Sequence, residues 1–254
     1  MTRDMRFLMG GLAVLGIMIA GITIAGMTIA EDKAADTQTS ASEQAIAESL
    51  KRLVFVPHDS GAPEVTDAGG VRSITILPKV ELLAPESLAR TLSASPTLYW
   101  HISKAAPGPV HFTLAADDPA IGAPLLQLDL DGIDQEGIYA VKLDDYGIAL
   151  GEGQRYIWSV SLSSAQDSHT TDVAAQTMML YSAAPDLAAA LDQARPDERA
   201  VRLAAEGYWY DAVETLSQQI ERGDALPWQD ARARLLDQAG LLQAARFDRQ
   251  SLTQ

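Results

Sequence analysis

Few residues in this chain have the type and spacing that chemistry needs. The four histidines, His58, His101, His111 and His169, are scattered. His101 and His111 each lie in an alternating stretch, so pairing of those stretches as strands would bring two imidazoles to metal-ligand distance. A zinc site wants three or four protein ligands, and no third is apparent. The simpler reading makes both of them ordinary strand residues. The run Asp129-Leu130-Asp131-Gly132-Ile133-Asp134-Gln135-Glu136 is the best ligand candidate. Its alternating carboxylates beside a glycine turn could supply oxygens to Ca²⁺, which takes six to eight. The glycine comes too early for an EF-hand loop, and a solvated turn explains the run equally well. Asp129, Asp131 and Glu136 are also the carboxylates that a hydrolase would use. Asp117 and Asp118 invite reading as an acid–base pair, but adjacent strand residues point apart and Pro119 marks a turn.

The remaining motif search is negative. The chain holds no G-x-S-x-G elbow, S-x-x-K or H-E-x-x-H. Gly151-Glu152-Gly153 lacks the further glycine and the lysine of a phosphate loop. There are no cysteines, which removes disulfides, thiolate metal sites and cysteine nucleophiles together. A formal net charge of −15 argues against nucleic acid, whose phosphates want Lys and Arg. No catalytic residue and no cofactor is expected.

One cluster points to binding instead. Tyr208, Trp209 and Tyr210 are consecutive, and three aromatics on one turn cannot all face a single core. At least one is expected to be exposed or docked, which makes the three a candidate interaction surface. The rival reading packs them between two layers of the same chain. Trp100 and Trp158, by contrast, sit in alternating apolar series and read as core.

The elements that position these residues follow from periodicity. From residue 71 the period is two, with strands expected near 71–77, 97–103, 110–115, 124–130, 137–143, 155–162 and 173–181. The last but one is the clearest: Tyr156, Trp158, Val160 and Leu162 fall on one face, Ile157, Ser159 and Ser161 on the other. The stretch 81–95 stays undetermined. Turn formers separate the strands: Pro107-Gly108-Pro109, Asp117-Asp118-Pro119, Asp131-Gly132 and Asp144-Asp145-Tyr146-Gly147. Seven short strands at even spacing read as an antiparallel β-sandwich of fibronectin or immunoglobulin type. After Pro185 the period is helical, with helices expected near 186–194, 197–206, 210–221, 227–239 and 241–249. Leu203-x3-Gly207-x4-Ala212 recurs as Leu236-x3-Gly240-x4-Ala245, a 33-residue offset close to the tetratricopeptide period of 34. Two copies are too few to enclose a core alone, so the helices are expected to lean on the sandwich through Tyr208 and Trp209.

Residues 7–30 carry no charge. As a helix they would span roughly 36 Å, against about 30 Å of hydrocarbon. Arg3 and Arg6 precede the run and Glu31, Asp32 and Asp36 come after it, so the bulk of the chain is expected outside the cytoplasm. An uncleaved membrane anchor fits the length; a signal peptide cut after Thr28-Ile29-Ala30 is the alternative. The expected layout is an anchor or signal over 1–30, a linker with a short helix over 31–70, a sandwich over 71–183 and a helical region over 184–254. In the linker, Ser40 and Glu43 form a capping box, Ile46, Leu50 and Leu53 share one side, and 59–70 reads as spacer.

Several stretches in this order resemble the bacterial family known as domain of unknown function 928: Leu77-Pro78, Ser95-Pro96-Thr97-Leu98-Tyr99-Trp100, Leu150-x2-Gly153-x2-Tyr156-x-Trp158, Gly207-Tyr208-Trp209-Tyr210-Asp211-Ala212, then Trp228 ahead of Leu235-Leu236 and Gly240-Leu241. The resemblance covers about residues 71–250 and implies an architecture and an exported address, not a reaction. Together these readings describe a non-catalytic scaffold or protein-binding module of the bacterial envelope, held in the inner membrane through residues 7–30, with the bulk of the chain periplasmic. Its partner would be another envelope or membrane protein. The competing classes are an envelope hydrolase and a calcium- or sugar-binding module.

Overall fold

A computed structural model describes residues 41–58, 78–118, 120–163, 171–223 and 225–252. The expected membrane segment over 7–30, the strand near 71–77 and His169 lie outside these residues. Among the described residues no helix is long and apolar enough to cross a membrane.

Among the described residues, eight strands form two sheets. One holds β1 (Val80–Leu82), β3 (Thr97–Ile102) and β6 (Gly137–Lys142) in the order β1-β3-β6. The other holds β2 (Ala89–Thr91), β4 (Val110–Ala116), β5 (Leu126–Leu130), β7 (Arg155–Ser163) and β8 (Thr171–Tyr181) in the order β2-β8-β7-β4-β5. All pairings are antiparallel except β2 with β8, which is parallel. That exception corrects the expectation of a purely antiparallel body. β2 lies in the undetermined stretch 81–95, β1 reaches into it, and the two belong to different sheets.

Alternation decides what lies between the sheets. Trp100 of β3 and Trp158 of β7 each lie 6.2 Å, ring centre to ring centre, from Phe112 of β4. All three are fully buried. Each contributes on the order of 2–3 kcal/mol by leaving water. The opposite face of the large sheet carries Thr113, Ser159 and Ser161, half-buried, and the exposed Gln127 and Asp129. That is the expected dry and wet division of an antiparallel sheet.

The small sheet breaks this division. Every residue of β3 is buried, including Thr97, Tyr99 and His101 on the face turned away from Trp100. A third layer covers them. It consists of α2 (Pro185–Leu191), α3 (Pro196–Ala205), α4 (Trp209–Glu221), α5 (Ala225–Gln238) and α6 (Leu242–Ser251). Thr97 donates to Glu214 of α4 at 2.7 Å, Glu81 of β1 accepts the Ala244 N–H of α6 at 2.8 Å, and the His101 ring lies 5.4 Å from that of Phe247.

The 33-residue repeat is real in the backbone. Gly207 and Gly240 have φ of +80° and +77°, which only glycine adopts readily. The residue after each glycine donates its N–H to the buried leucine that opens the motif: Tyr208 to Leu203 at 2.8 Å, Leu241 to Leu236 at 3.0 Å. Ala212 and Ala245, both fully buried, sit where the second helix of each pair approaches closely. This αL ending satisfies carbonyls that a helix terminus leaves open.

Residues 41–58 pack against the helical layer. Residues 41–50 form the expected helix, here α1, with Leu50 fully buried and Leu53 nearly so. The extended segment after it, Leu53–His58, packs onto the helical layer. The capping box and the apolar spacing signalled the helix. Its docking surface lies some 180 residues away along the chain, where no local pattern points.

Candidate interaction site

Tyr208, Trp209 and Tyr210 are exposed by only 4%, 0% and 2%: all three are docked within the chain, packed between two of its layers, and none is exposed. Each meets a different neighbour, which is how three successive rings are buried at once. The Tyr208 ring lies under the Arg90 guanidinium at 4.5 Å. Trp209 donates its indole N–H to the Leu83 carbonyl at 2.7 Å. The Tyr210 hydroxyl accepts the indole N–H of Trp158 at 3.1 Å. These three contacts carry the helices on the sheets, as expected for Tyr208 and Trp209. Asp211 adds a fourth, accepting the Leu92 N–H at 2.8 Å. Burial pushes its carboxyl up to about 7.

Trp209 also faces the extended segment. Phe55 meets it edge-on, 4.8 Å between ring centres at 73°. Gln238 near the end of α5 grips the same segment by its backbone: its Oε1 accepts the Phe55 N–H at 2.8 Å and its Nε2 donates to the Leu53 carbonyl at 3.1 Å. Val56 donates its N–H to the Ala204 carbonyl of α3 at 3.1 Å, and Arg234 of α5 reaches the Leu50 carbonyl. A Cβ on Gly207 would come within 3.0 Å of the Val56 carbonyl oxygen, so the joint must be bare there. Leu53 and Phe55 turn inward, while Val54 and Val56 turn outward with 54% and 50% exposure. The segment alternates like a strand, held by Gln238, by the Val56 bond to α3 and by the Phe55–Trp209 contact.

A family comparison extends over most of this architecture. The model of the family described as Domain of Unknown Function (DUF928) matches residues 68–247, from ahead of β1 into α6. The chain belongs to this family. The family match begins after the gripped segment and takes in Trp209, Arg234 and Gln238. No curated protein matches the chain. Two solved structures show slight similarity. One is an engineered protein, 16% identical, with a TM-score of 0.28 over 42% of this chain; the chain spans 20% of its length. The other is Astrotactin-2, described as a conserved vertebrate-specific and perforin-like membrane protein involved in neuronal development; it is 9% identical, with a TM-score of 0.28 over 68% of this chain, which spans 38% of it. Similarity at this level carries no argument about fold or function.

The sequence-predicted chemical residues do not converge. His101 and His111 lie in different sheets, so their strands do not pair. His111 faces Asp129 across β4 and β5, with 2.7 Å between Nδ1 and Oδ1. His101 is buried beneath α6, its ring nitrogens without a hydrogen-bond partner and its Nε2 3.4 Å from Glu136. Burial lowers its pKa to about 4, and burial raises that of Glu136. Among the described residues no group of three or more His, Asp or Glu side chains stands close enough to hold a metal, so the run 129–136 does not gather into a calcium site. Asp117 pairs with Arg155 at 3.4 Å and Asp118 accepts the Ala120 N–H at 2.8 Å, as turn residues do.

Sequence reasoning missed a second polar centre. Arg232 of α5 is buried and makes a bidentate pair with Asp248 of α6 at 2.8 and 2.6 Å, with a further bond to Ser217 of α4 at 2.9 Å. Tyr99 of β3 faces the same group. Arg232 and Asp248 are 16 residues apart, beyond any helical spacing, and nothing local marks them as partners.

Proposed function

We propose that this protein is a non-catalytic, protein-binding module of the bacterial envelope. The uncharged run 7–30 tethers it to the inner membrane, the fibronectin-like two-sheet body and its helical layer lie on the far side, and its partner is another envelope or membrane protein. The observation that carries this reading is the grip of Gln238 and Trp209 on Leu53–Val56: the helical layer takes an extended polypeptide by main-chain groups, the chemistry of peptide recognition. The missing nucleophile and metal motifs agree with it, and so do the basic residues before the apolar run and the acidic ones after it.

Two measurements test it. A periplasm-active reporter fused after Gln254 should work, and one that works only in the cytosol overturns the location. In-membrane cross-linking followed by mass spectrometry should then return the same protein partner for the wild type and for a chain carrying Asp129→Ala, Asp131→Ala and Glu136→Ala. A triple variant that folds, keeps no partner and abolishes turnover of an envelope polymer moves the reading to a hydrolase.

A further inference from the structure

The segment held in the groove defines what the groove selects. Gln238 bonds one carbonyl and one N–H two residues apart on the same edge of the segment, a spacing that an extended backbone presents and a helix does not. Val56 adds a third main-chain bond to the end of α3. These bonds are indifferent to side-chain identity. Selection comes from the two inward positions, a leucine and an aromatic ring two residues later. The outward positions stay solvent-exposed even though both are valine, so they impose little. Lys51 and Arg52, which precede the segment, bond Glu48 and Ser49 of α1 and add nothing to the selection.

We propose that the groove between the α3–α4 joint and α5 recognises an extended partner segment of the form Leu-x-Phe, and that Leu53–Val56 fills it in cis. This rests on the protein-binding reading and names the partner's chemistry. A covalently linked occupant acts at an effective concentration in the millimolar range. A partner therefore binds only weakly to the intact chain, and its apparent affinity rises when the cis segment is weakened.

The experiment uses the full chain in detergent and a fluorescent peptide with the sequence of residues 50–58, read by anisotropy. Wild type should bind it weakly. Phe55→Ala, which spares the groove, should tighten binding at least tenfold, and adding Gln238→Ala should abolish the gain. A cooperatively melting Phe55→Ala chain that binds no better than wild type overturns the proposal, as does a gain that survives Gln238→Ala. If Phe55→Ala does not fold, hydrogen exchange at the Phe55 amide of the wild type is followed as peptide is raised to millimolar. Faster exchange supports displacement and unchanged exchange overturns it. The outcome is separable from the cross-linking test: a partner found there without peptide binding here removes the groove and leaves the module reading standing.

Discussion

The hairpins α3–α4 and α5–α6 share the bonds that turn their joints, Gly207 to Ala204 with Gly240 to Asp237 and Tyr208 to Leu203 with Leu241 to Leu236, but differ in the residues placed after the glycine. The first continues Tyr208-Trp209-Tyr210-Asp211, the second Leu241-Leu242-Gln243-Ala244. In the first hairpin every one of those side chains is spent on the sheets or on Phe55. In the second Leu242 is exposed, and α6 is tied down by its N-terminal amide on Glu81 and by Asp248 on Arg232. The repeat therefore supplies a backbone frame, and the four side chains beyond each glycine decide what that frame is for. The first hairpin docks the layer through aromatics; the second holds itself through a buried charge pair and turns α5 toward the extended segment.

The comparison can be broken at either anchor. Trp209→Ala removes a buried ring, a bond to Leu83 and the edge that Phe55 meets. It should cost about 4–5 kcal/mol and lower the denaturant midpoint accordingly. Asp248→Ala leaves the Arg232 guanidinium buried and unpaired, so a loss of about 3–5 kcal/mol is expected in the same titration. A paired change, Arg232→Met with Asp248→Leu, should recover most of it, since removing both charges removes the uncompensated one.

The first hairpin also carries a pH signature. Asp211 titrates near 7 in the fold against an ordinary value of 3.8, so the native state binds its proton more tightly than the unfolded chain. Its contribution is complete below about pH 4 and is lost as pH rises toward about 7, a change on the order of 4 kcal/mol. Asp211→Asn keeps an acceptor for the Leu92 N–H and should flatten that slope. His101 runs the other way. Its folded value near 4 lies below the ordinary 6.5, so its contribution is complete above about 6.5 and is lost as pH falls toward about 4. Denaturation midpoints at each pH from 4 to 8 for wild type, Asp211→Asn and His101→Leu separate the two.

The smallest effects compare the glycines themselves. Gly240→Ala places a Cβ where nothing lies within 4 Å, so only the left-handed φ is penalised, by about 1–2 kcal/mol. Gly207→Ala pays the same and also crowds the Val56 carbonyl, so it should lose more stability and raise hydrogen exchange at Phe55, which Gly240→Ala leaves unchanged.

Much of this is legible in the chain. The strands from Thr97 onward, the five C-terminal helices, both joints and the docking role of Tyr208 and Trp209 come from local period and turn chemistry. The illegible part depends on the third layer. Thr97, Tyr99 and His101 alternate with the apolar Leu98, Trp100 and Ile102, and nothing near them announces that α4 and α6 will cover their face. Tyr210 is open to an exposed reading because its partner, Trp158, is 52 residues away. Only one side of the candidate site stands out in the sequence: the aromatics are marked, while Gln238 and Arg234 look like ordinary polar helix residues until Leu50–Val56 lies against them.

Sheets, helices and the extended segment form one body joined at Trp209. Native-state hydrogen exchange of the full chain, with fragments covering 97–102, 209–221 and 50–58, tests it most directly. The expected result is that β3 and α4 become exchangeable together, in the opening that exposes the whole core, with the extended segment protected to a lesser degree and losing that protection in Trp209→Ala. Exchange of α4 at far lower cost than β3 would contradict it, because the helices would then be a separate unit resting on a sandwich that does not need them.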